Sequence, residues 1–268
     1  MLRRLCYSLG MALLVFGFAL PAAAQSNNAM VRVIHASPDA PAVDVFVDGQ
    51  AALTNVAFKA ISDYLEVPAG AHKVSVAPAG QGEAAAVITA NPTVEAGKAY
   101  TIAAVGKLAD IKAQVYNDNL AAPAAGKAHV RVIHASPDAP AVSVKVAGGA
   151  TLIDSLAFPN ASDYLPVDAT TYNLQVTPAG ANDVVLDLAN TKLDAGTIYD
   201  VVALGELANI TAEVDTYVPQ ASTTGSGSAT DAPSSLPNTG AGENLSTILI
   251  ALGVLAVVSG FMLRRRTA

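Results

Sequence analysis

Val31-Arg32-Val33-Ile34-His35-Ala36-Ser37-Pro38-Asp39-Ala40-Pro41-Ala42-Val43 returns residue for residue as Val130-Arg131-Val132-Ile133-His134-Ala135-Ser136-Pro137-Asp138-Ala139-Pro140-Ala141-Val142. The identity continues beyond this block. Ser62-Asp63-Tyr64-Leu65 recurs as Ser162-Asp163-Tyr164-Leu165, and Pro78-Ala79-Gly80 as Pro178-Ala179-Gly180. Ala96-Gly97 with Tyr100 recurs as Ala195-Gly196 with Tyr199. A pattern kept over such a span means one structural unit used twice.

Within each copy the apolar residues alternate. Val43, Val45 and Val47 are interleaved with Asp44, Phe46 and Asp48, and Val142, Val144 and Val146 with Ser143, Lys145 and Ala147. Period two is the mark of a half-buried strand. Turn signals cut these runs at short intervals, among them Ser37-Pro38-Asp39, Asp48-Gly49, Pro68-Ala69-Gly70 and Val105-Gly106. About seven short antiparallel strands per copy and no helical period predict an all-β chain. The expected fold is two tandem β-sandwich domains, immunoglobulin-like or transthyretin-like, over residues 29–118 and 128–218. The join from Asn117 to Lys127 is short and poor in polar residues, which predicts two beads in a row with limited hinge freedom.

The two ends carry a different signal. Arg3 and Arg4 precede an apolar run from Cys6 to Leu20, and Pro21-Ala22-Ala23-Ala24 follows. This is the build of a signal peptide over residues 1–24, cut by signal peptidase between Ala24 and Gln25. The only cysteine, Cys6, leaves with it, which rules out disulfides, thiolate metal sites and a cysteine nucleophile in the mature chain. Residues 25–239 hold 10 Lys and Arg against 21 Asp and Glu, a net charge of −11. Such a surface repels nucleic acid and anionic lipid.

After Tyr217 the composition shifts to Ser, Thr and Gly, a linker over residues 219–235. Leu236-Pro237-Asn238-Thr239-Gly240 comes next, then an apolar stretch over residues 245–263 and Arg264-Arg265-Arg266. As a helix, that stretch measures about 28 Å, close to the roughly 30 Å of a bilayer core. The arginines hold its end in the cytoplasm. The ordered triple over residues 236–268 resembles the signal read by sortase transpeptidases of Gram-positive-type envelopes. The resemblance implies attack by a sortase cysteine on the Thr239 carbonyl, release of Gly240 onward, and transfer to a peptidoglycan amine. The partners are then sortase, peptidoglycan, signal peptidase, the membrane before sorting, and an unknown extracellular ligand. The expected location is the cell wall; the alternative is a single-pass membrane protein with the same part outside.

The repeated Val-Arg-Val-Ile-His-Ala-Ser-Pro-Asp block, with Ser-Asp-Tyr and the Ala-Gly-x-x-Tyr strand start, resembles the bacterial domain of unknown function 4397 family, over nearly all of residues 30–217. The resemblance implies exported, surface-attached β-sandwiches and brings no catalytic activity.

His35, Ser37 and Asp39, with their twins His134, Ser136 and Asp138, contain the residue types of a hydrolytic triad. Their spacing argues for a structural role. His35 ends a core-facing row, and Ser37 and Asp39 open a turn whose backbone they can bond. Asp39, Asp44 and Asp48 raise calcium, but the second copy has Ser143 and Ala147 at two of the three places. Surface solvation is the simpler reading of those aspartates. Tyr64 and Tyr164 cover a core edge or stack on sugars, and Lys98 is the one candidate for an intramolecular lysine cross-link. No catalytic residue, metal or cofactor is expected. The chain reads as a non-enzymatic display protein for binding, adhesion or spacing. The alternatives are an extracellular hydrolase using His-Ala-Ser-Pro-Asp and a glycan-binding module.

Overall fold

Each copy is built from two four-stranded sheets that face each other across a valine-rich core. These are the findings of a computed structural model, which describes residues 27–219. The signal segment with Ala24 and Gln25, and the sorting signal from Leu236 to Gly240 with the stretch over 245–263, lie outside the described residues.

The first copy contains β1 (Asn28–His35), β2 (Val43–Val47), β3 (Gln50–Val56), β4 (Leu65–Pro68) and β5 (Gly70–Ala71). It continues with β6 (Val74–Pro78), β7 (Ile88–Ala90), β8 (Thr93–Val94), β9 (Ala99–Val105) and β10 (Lys112–Asp118). The second copy contains β11 (Lys127–His134), β12 (Val142–Val146), β13 (Thr151–Leu156) and β14 (Leu165–Asp168). Its remaining strands are β15 (Thr171–Pro178), β16 (Leu186–Lys192), β17 (Ile198–Leu204) and β18 (Thr211–Tyr217). Ten and eight strands replace the expected seven: two four-stranded sheets account for eight in each copy, and the short pair of β5 with β8 adds two in the first. Among the described residues there is no α-helix, only three 3₁₀ turns.

In the first copy one sheet runs β10-β9-β1-β4 and the other β3-β2-β6-β7. The second copy repeats this as β14-β11-β17-β18 and β13-β12-β15-β16. The expected all-antiparallel pairing fails at one place in each copy: β1 lies parallel to β9, and β11 to β17. A parallel neighbour needs a long crossover, and the strands of the opposite sheet provide it. Asp48 and Gly49, at φ 50° and 83°, form the two-residue hairpin between β2 and β3, as the right-handed twist of the strands requires.

The largest departure from expectation is the relation of the two copies. They are not two beads in a row; both fall within one compact unit. All seven residues of β9 and all seven of β17 are buried. Alternate residues of these strands fill each copy's own core, as Tyr100, Ile102 and Ala104 do in the first. The intervening residues meet the other copy. Ile34, Ala103, Val105 and Tyr116 form a single cluster with Ile133, Val202 and Leu204. A sheet buried on both faces carries apolar side chains on both, and Ala99-Tyr-Thr-Ile-Ala-Ala-Val105 is such a run.

The pairing is aligned. At one end of the strands Met30 pairs with Ala99 and Ala99 with Asp118, while His129 pairs with Ile198 and Ile198 with Tyr217. This end, the base, holds the start of β1, both ends of the join between copies, and the end of β18. At the opposite end, the tip, His35 and His134 lead into the repeated Ser-Pro-Asp loops. There Lys107 of the first copy reaches Glu206 of the second at 2.7 Å.

Candidate functional site

Val31 and Val33 point into the first copy's own core, so strand alternation turns Arg32 to the other copy. An arginine on a face that becomes buried needs carboxylates. The Arg32 guanidinium bonds Asp200 and Asp215 of the second copy, and its Nε donates to Thr101 Oγ1 at 2.8 Å. Arg131, its twin, donates from Nε to Asp200 at 2.6 Å, pairs with Asp118 of the first copy at 2.7 Å, and donates to the Asn117 carbonyl at 3.1 Å. The side chains of Arg32, Arg131, Asp118 and Asp200 are all at most 4% exposed, and that of Asp215 is 34% exposed.

Two tyrosines complete the cluster. The Arg32 guanidinium lies 4.9 Å from the Tyr64 ring centre and that of Arg131 4.5 Å from Tyr164, within cation–π range. The Tyr64 hydroxyl donates to Asp118 at 2.7 Å and that of Tyr164 to Asp200 at 3.3 Å. Burial works against both guanidinium charges, but Asp200 outweighs it with help from Asp118 and the tyrosine beside each, so both pKa values rise. Burial, followed by the Asp200 charge, lifts the Asp215 carboxyl above the usual range in spite of Arg32. Three carboxylates face two guanidiniums, and Asp215 holds the surplus.

The copies are not identical here. Thr101 of β9 stands where β17 has Asp200. Tyr116-Asn117-Asp118 of β10 stands where β18 has Asp215-Thr216-Tyr217. Tyrosine and aspartate have exchanged places between the copies, which lets each arginine find acid on the opposite sheet. Sequence reasoning passed over all five charged residues. The available signal was an arginine inside an otherwise apolar strand, with Asp200 inside Ile198-Tyr-Asp-Val-Val-Ala-Leu204.

The repeated motif sits at the tip. His35 Nε2 donates to the Pro41 carbonyl at 2.9 Å, and Nδ1 accepts from the Ser37 backbone N–H at 3.4 Å. The ring is therefore the neutral tautomer, and it touches Ser37 through the backbone rather than the hydroxyl. His134 bonds the Pro140 carbonyl in the same way at 3.0 Å. Asp39 accepts from the Leu108 N–H and Asp138 from the Leu207 N–H, each at 2.8 Å, fixing the 3₁₀ turns Leu108–Asp110 and Leu207–Asn209. Gly106 and Gly205 enter these turns at φ 97° and 94°, and a Cβ there would stand 2.9 Å from the Asp110 or Asn209 carbonyl oxygen. Leu108 and Leu207 project outward, 40% and 39% exposed.

Asp44 is buried and accepts from the Asn55 and Gly80 N–H groups, each at 2.8 Å, which holds its pKa below the usual range. It is a turn clamp, not a solvated strand residue. Asp48 instead meets His72, so Asp39, Asp44 and Asp48 serve three separate places. Lys98 is exposed in the turn just before β9, which removes the burial a lysine cross-link requires.

His72 contrasts with the tip histidines. Its Nδ1 bonds Asp48 at 2.6 Å and its Nε2 the Pro68 carbonyl at 2.7 Å. Two acceptors require two protons, so the ring is the imidazolium, and Asp48 foremost raises its pKa. Burial lowers those of His35 and His134. In an NMR titration His72 is expected to lose its proton above pH ~6.5, while His35 and His134 gain theirs only below it. The stabilisation from His72 is present below that value and fades as pH rises through its folded pKa. The tip histidines act in the opposite sense, costing stability as pH falls from about 6.5 through theirs.

Residues 29–145 and 145–230 match a family model described as a domain of unknown function (DUF4397), and residues 229–267 match the LPXTG cell wall anchor motif. No curated protein matches the chain. Among solved structures it is similar to the Bacillus anthracis TIE protein, at 11% identity and a TM-score of 0.22, over 67% of this chain and 34% of that one. The chain thus spans 34% of that structure's length. The anchor motif implies sortase processing and attachment to peptidoglycan. In two tandem copies, the chain belongs to the DUF4397 family of domains, and it is a cell-wall-anchored surface protein.

Proposed function

We propose that the tandem unit is a non-enzymatic binding head displayed on the wall. The observation that carries this reading is that β1 begins and β18 ends at the same end of the strands. A spacer has to hand the chain from one end to the other. This unit folds back on itself and turns its tip, with Leu108, Leu207 and both Ser-Pro-Asp loops, away from the end of β18. The reactive side chains of the repeated motif are committed to turn bonds, which supports a non-enzymatic role. Tyr64 and Tyr164 carry guanidiniums on their rings, which disfavours sugar stacking there.

Arrays of glycans and matrix proteins probed with the fragment 25–239 test this. The expected result is binding to a member of either array that is lost in the Leu108→Asp, Leu207→Asp variant and kept in Lys98→Ala at the base. Silence on both arrays, or binding indifferent to the tip, would overturn the head in favour of a spacer. The anchoring steps have their own prediction. Thr239→Ala is expected to leave a chain that still carries residues 240–268 and that detergent extracts, whereas the native chain is released only by wall digestion and ends at Thr239.

A further inference from the structure

Each copy keeps its own core, made of Val31, Val43, Val76 and Ile102 in the first and Val130, Val142, Val176 and Val201 in the second. The face between the copies is a third core with its own residues. A copy can therefore leave its partner without giving up the packing that makes it a sandwich. We infer that this face is also an interaction surface between chains, and that its partner is a second copy of this chain, joined by exchange so that the first copy of one chain pairs with the second copy of its neighbour.

The chemistry of the face selects this pairing. Two second copies together would bury four carboxylates, Asp200 and Asp215 from each, against two guanidiniums. Two first copies would offer two arginines only Asp118 and its twin, with Thr101 and Tyr116 where Arg32 now meets Asp200 and Asp215. First against second satisfies both arginines, and the rim pairs Lys107–Glu206 and Lys59–Glu213 also join unlike copies. Nothing in the face distinguishes a second copy on the same chain from one on the next. The cis pair is favoured by the tether between residues 118 and 127, and anchoring many chains on one wall raises the concentration of trans partners in the same way.

Removing the cis option tests this in the full mature chain. Deleting residues 119–126 joins Asp118 to Lys127, whose Cα atoms then lie about 3.8 Å apart. Because β10 and β11 belong to opposed sheets, and packed sheets stand about 10 Å apart, the cis pair cannot close without unpairing the ends of both strands. The expected product is a dimer or higher species by light scattering, which returns to monomer when Arg131→Ala is added. A monomer with two folded sandwiches, shown by dispersed NMR spectra, would overturn the inference. A second measurement uses the undeleted chain, with Lys98→Cys labelled by a donor in one batch and Lys192→Cys by an acceptor in another. Energy transfer is expected to grow on mixing with the concentration of either batch, and its absence after transient exposure to mild denaturant would count equally against exchange.

Discussion

Arg131→Ala is expected to lower stability by about 3–5 kcal/mol, because it leaves the buried carboxylates of Asp118 and Asp200 with Arg32 alone, which Asp215 also engages. For a unit of this size that is a fall in Tm of roughly 6–20 °C. The loss is not the value of an ion pair in water. Asp118 is held by Thr101, Tyr64 and the Arg131 charge, and Asp200 by both arginines and Tyr164, in a space closed to solvent, and truncation removes one partner while solvation stays absent. Arg131→Lys restores the charge but neither the forked donors nor the flat surface on Tyr164, so it is expected to recover only part of the loss. Asp215→Asn is expected to cost far less than Arg131→Ala. Asp215 is the most exposed acid of the cluster and its carboxylate is the surplus charge. Because its pKa is raised on folding, its ionised form costs stability as pH rises from the unfolded value through the folded one. Chemical denaturation of the three variants at neutral pH measures all of this. A small effect of Arg131→Ala would mean that water reaches the cluster when the arginine is gone.

Much of each sandwich was legible because alternation and turn chemistry are local. Val43, Val45 and Val47 mark β2, Asp48-Gly49 marks its hairpin, and the unbroken return of Val31 to Val43 marks the second copy. The pairing was hidden for a physical reason. Val31-Arg32-Val33 shows the same alternation whether the second face meets water or another sheet, and an arginine suggests water. The distinguishing evidence is nonlocal: Ile34 follows on the supposedly wet face, and the acids that neutralise Arg32 lie on β17 and β18, far along the chain. Small residues obscured it further, since Ala103 and Ala104 give little hydropathy contrast between the two faces of β9. At the tip, the bonding role read for Ser37 and Asp39 concerned the turn itself, while the structure places the acceptor of the Leu108 N–H in Asp39, which belongs to a different turn.

Ile34→Asp is expected to separate the two copies while leaving each folded. Ile34 is fully buried, but it belongs to the cluster shared by both copies and not to the core of the first. A carboxylate there faces Ile133, Val202 and Leu204, whose side chains cannot hydrogen-bond it, and burying an unpaired charge costs several kcal/mol. The chain can escape that cost without unfolding, by opening the face and hydrating the introduced carboxylate. Opening also hydrates Arg32, Arg131 and their acids, so the charge cluster does not resist it as strongly as its short contacts suggest. The native protein should therefore unfold in one transition, because each sandwich is stabilised through the shared face. The variant should show a larger radius of gyration by X-ray scattering, two separable unfolding steps, and amide exchange that rises along β9 and β17 while the valine cores stay protected. Val31→Asp, on the inner face of the same strand, should instead unfold the first sandwich itself. If Ile34→Asp also destroyed the first sandwich, the shared face would be part of the minimal folding unit and the two copies would be one domain in the thermodynamic sense. Separation with both sandwiches intact would make the pair an assembly, held by a removable interface of apolar residues around a charged centre.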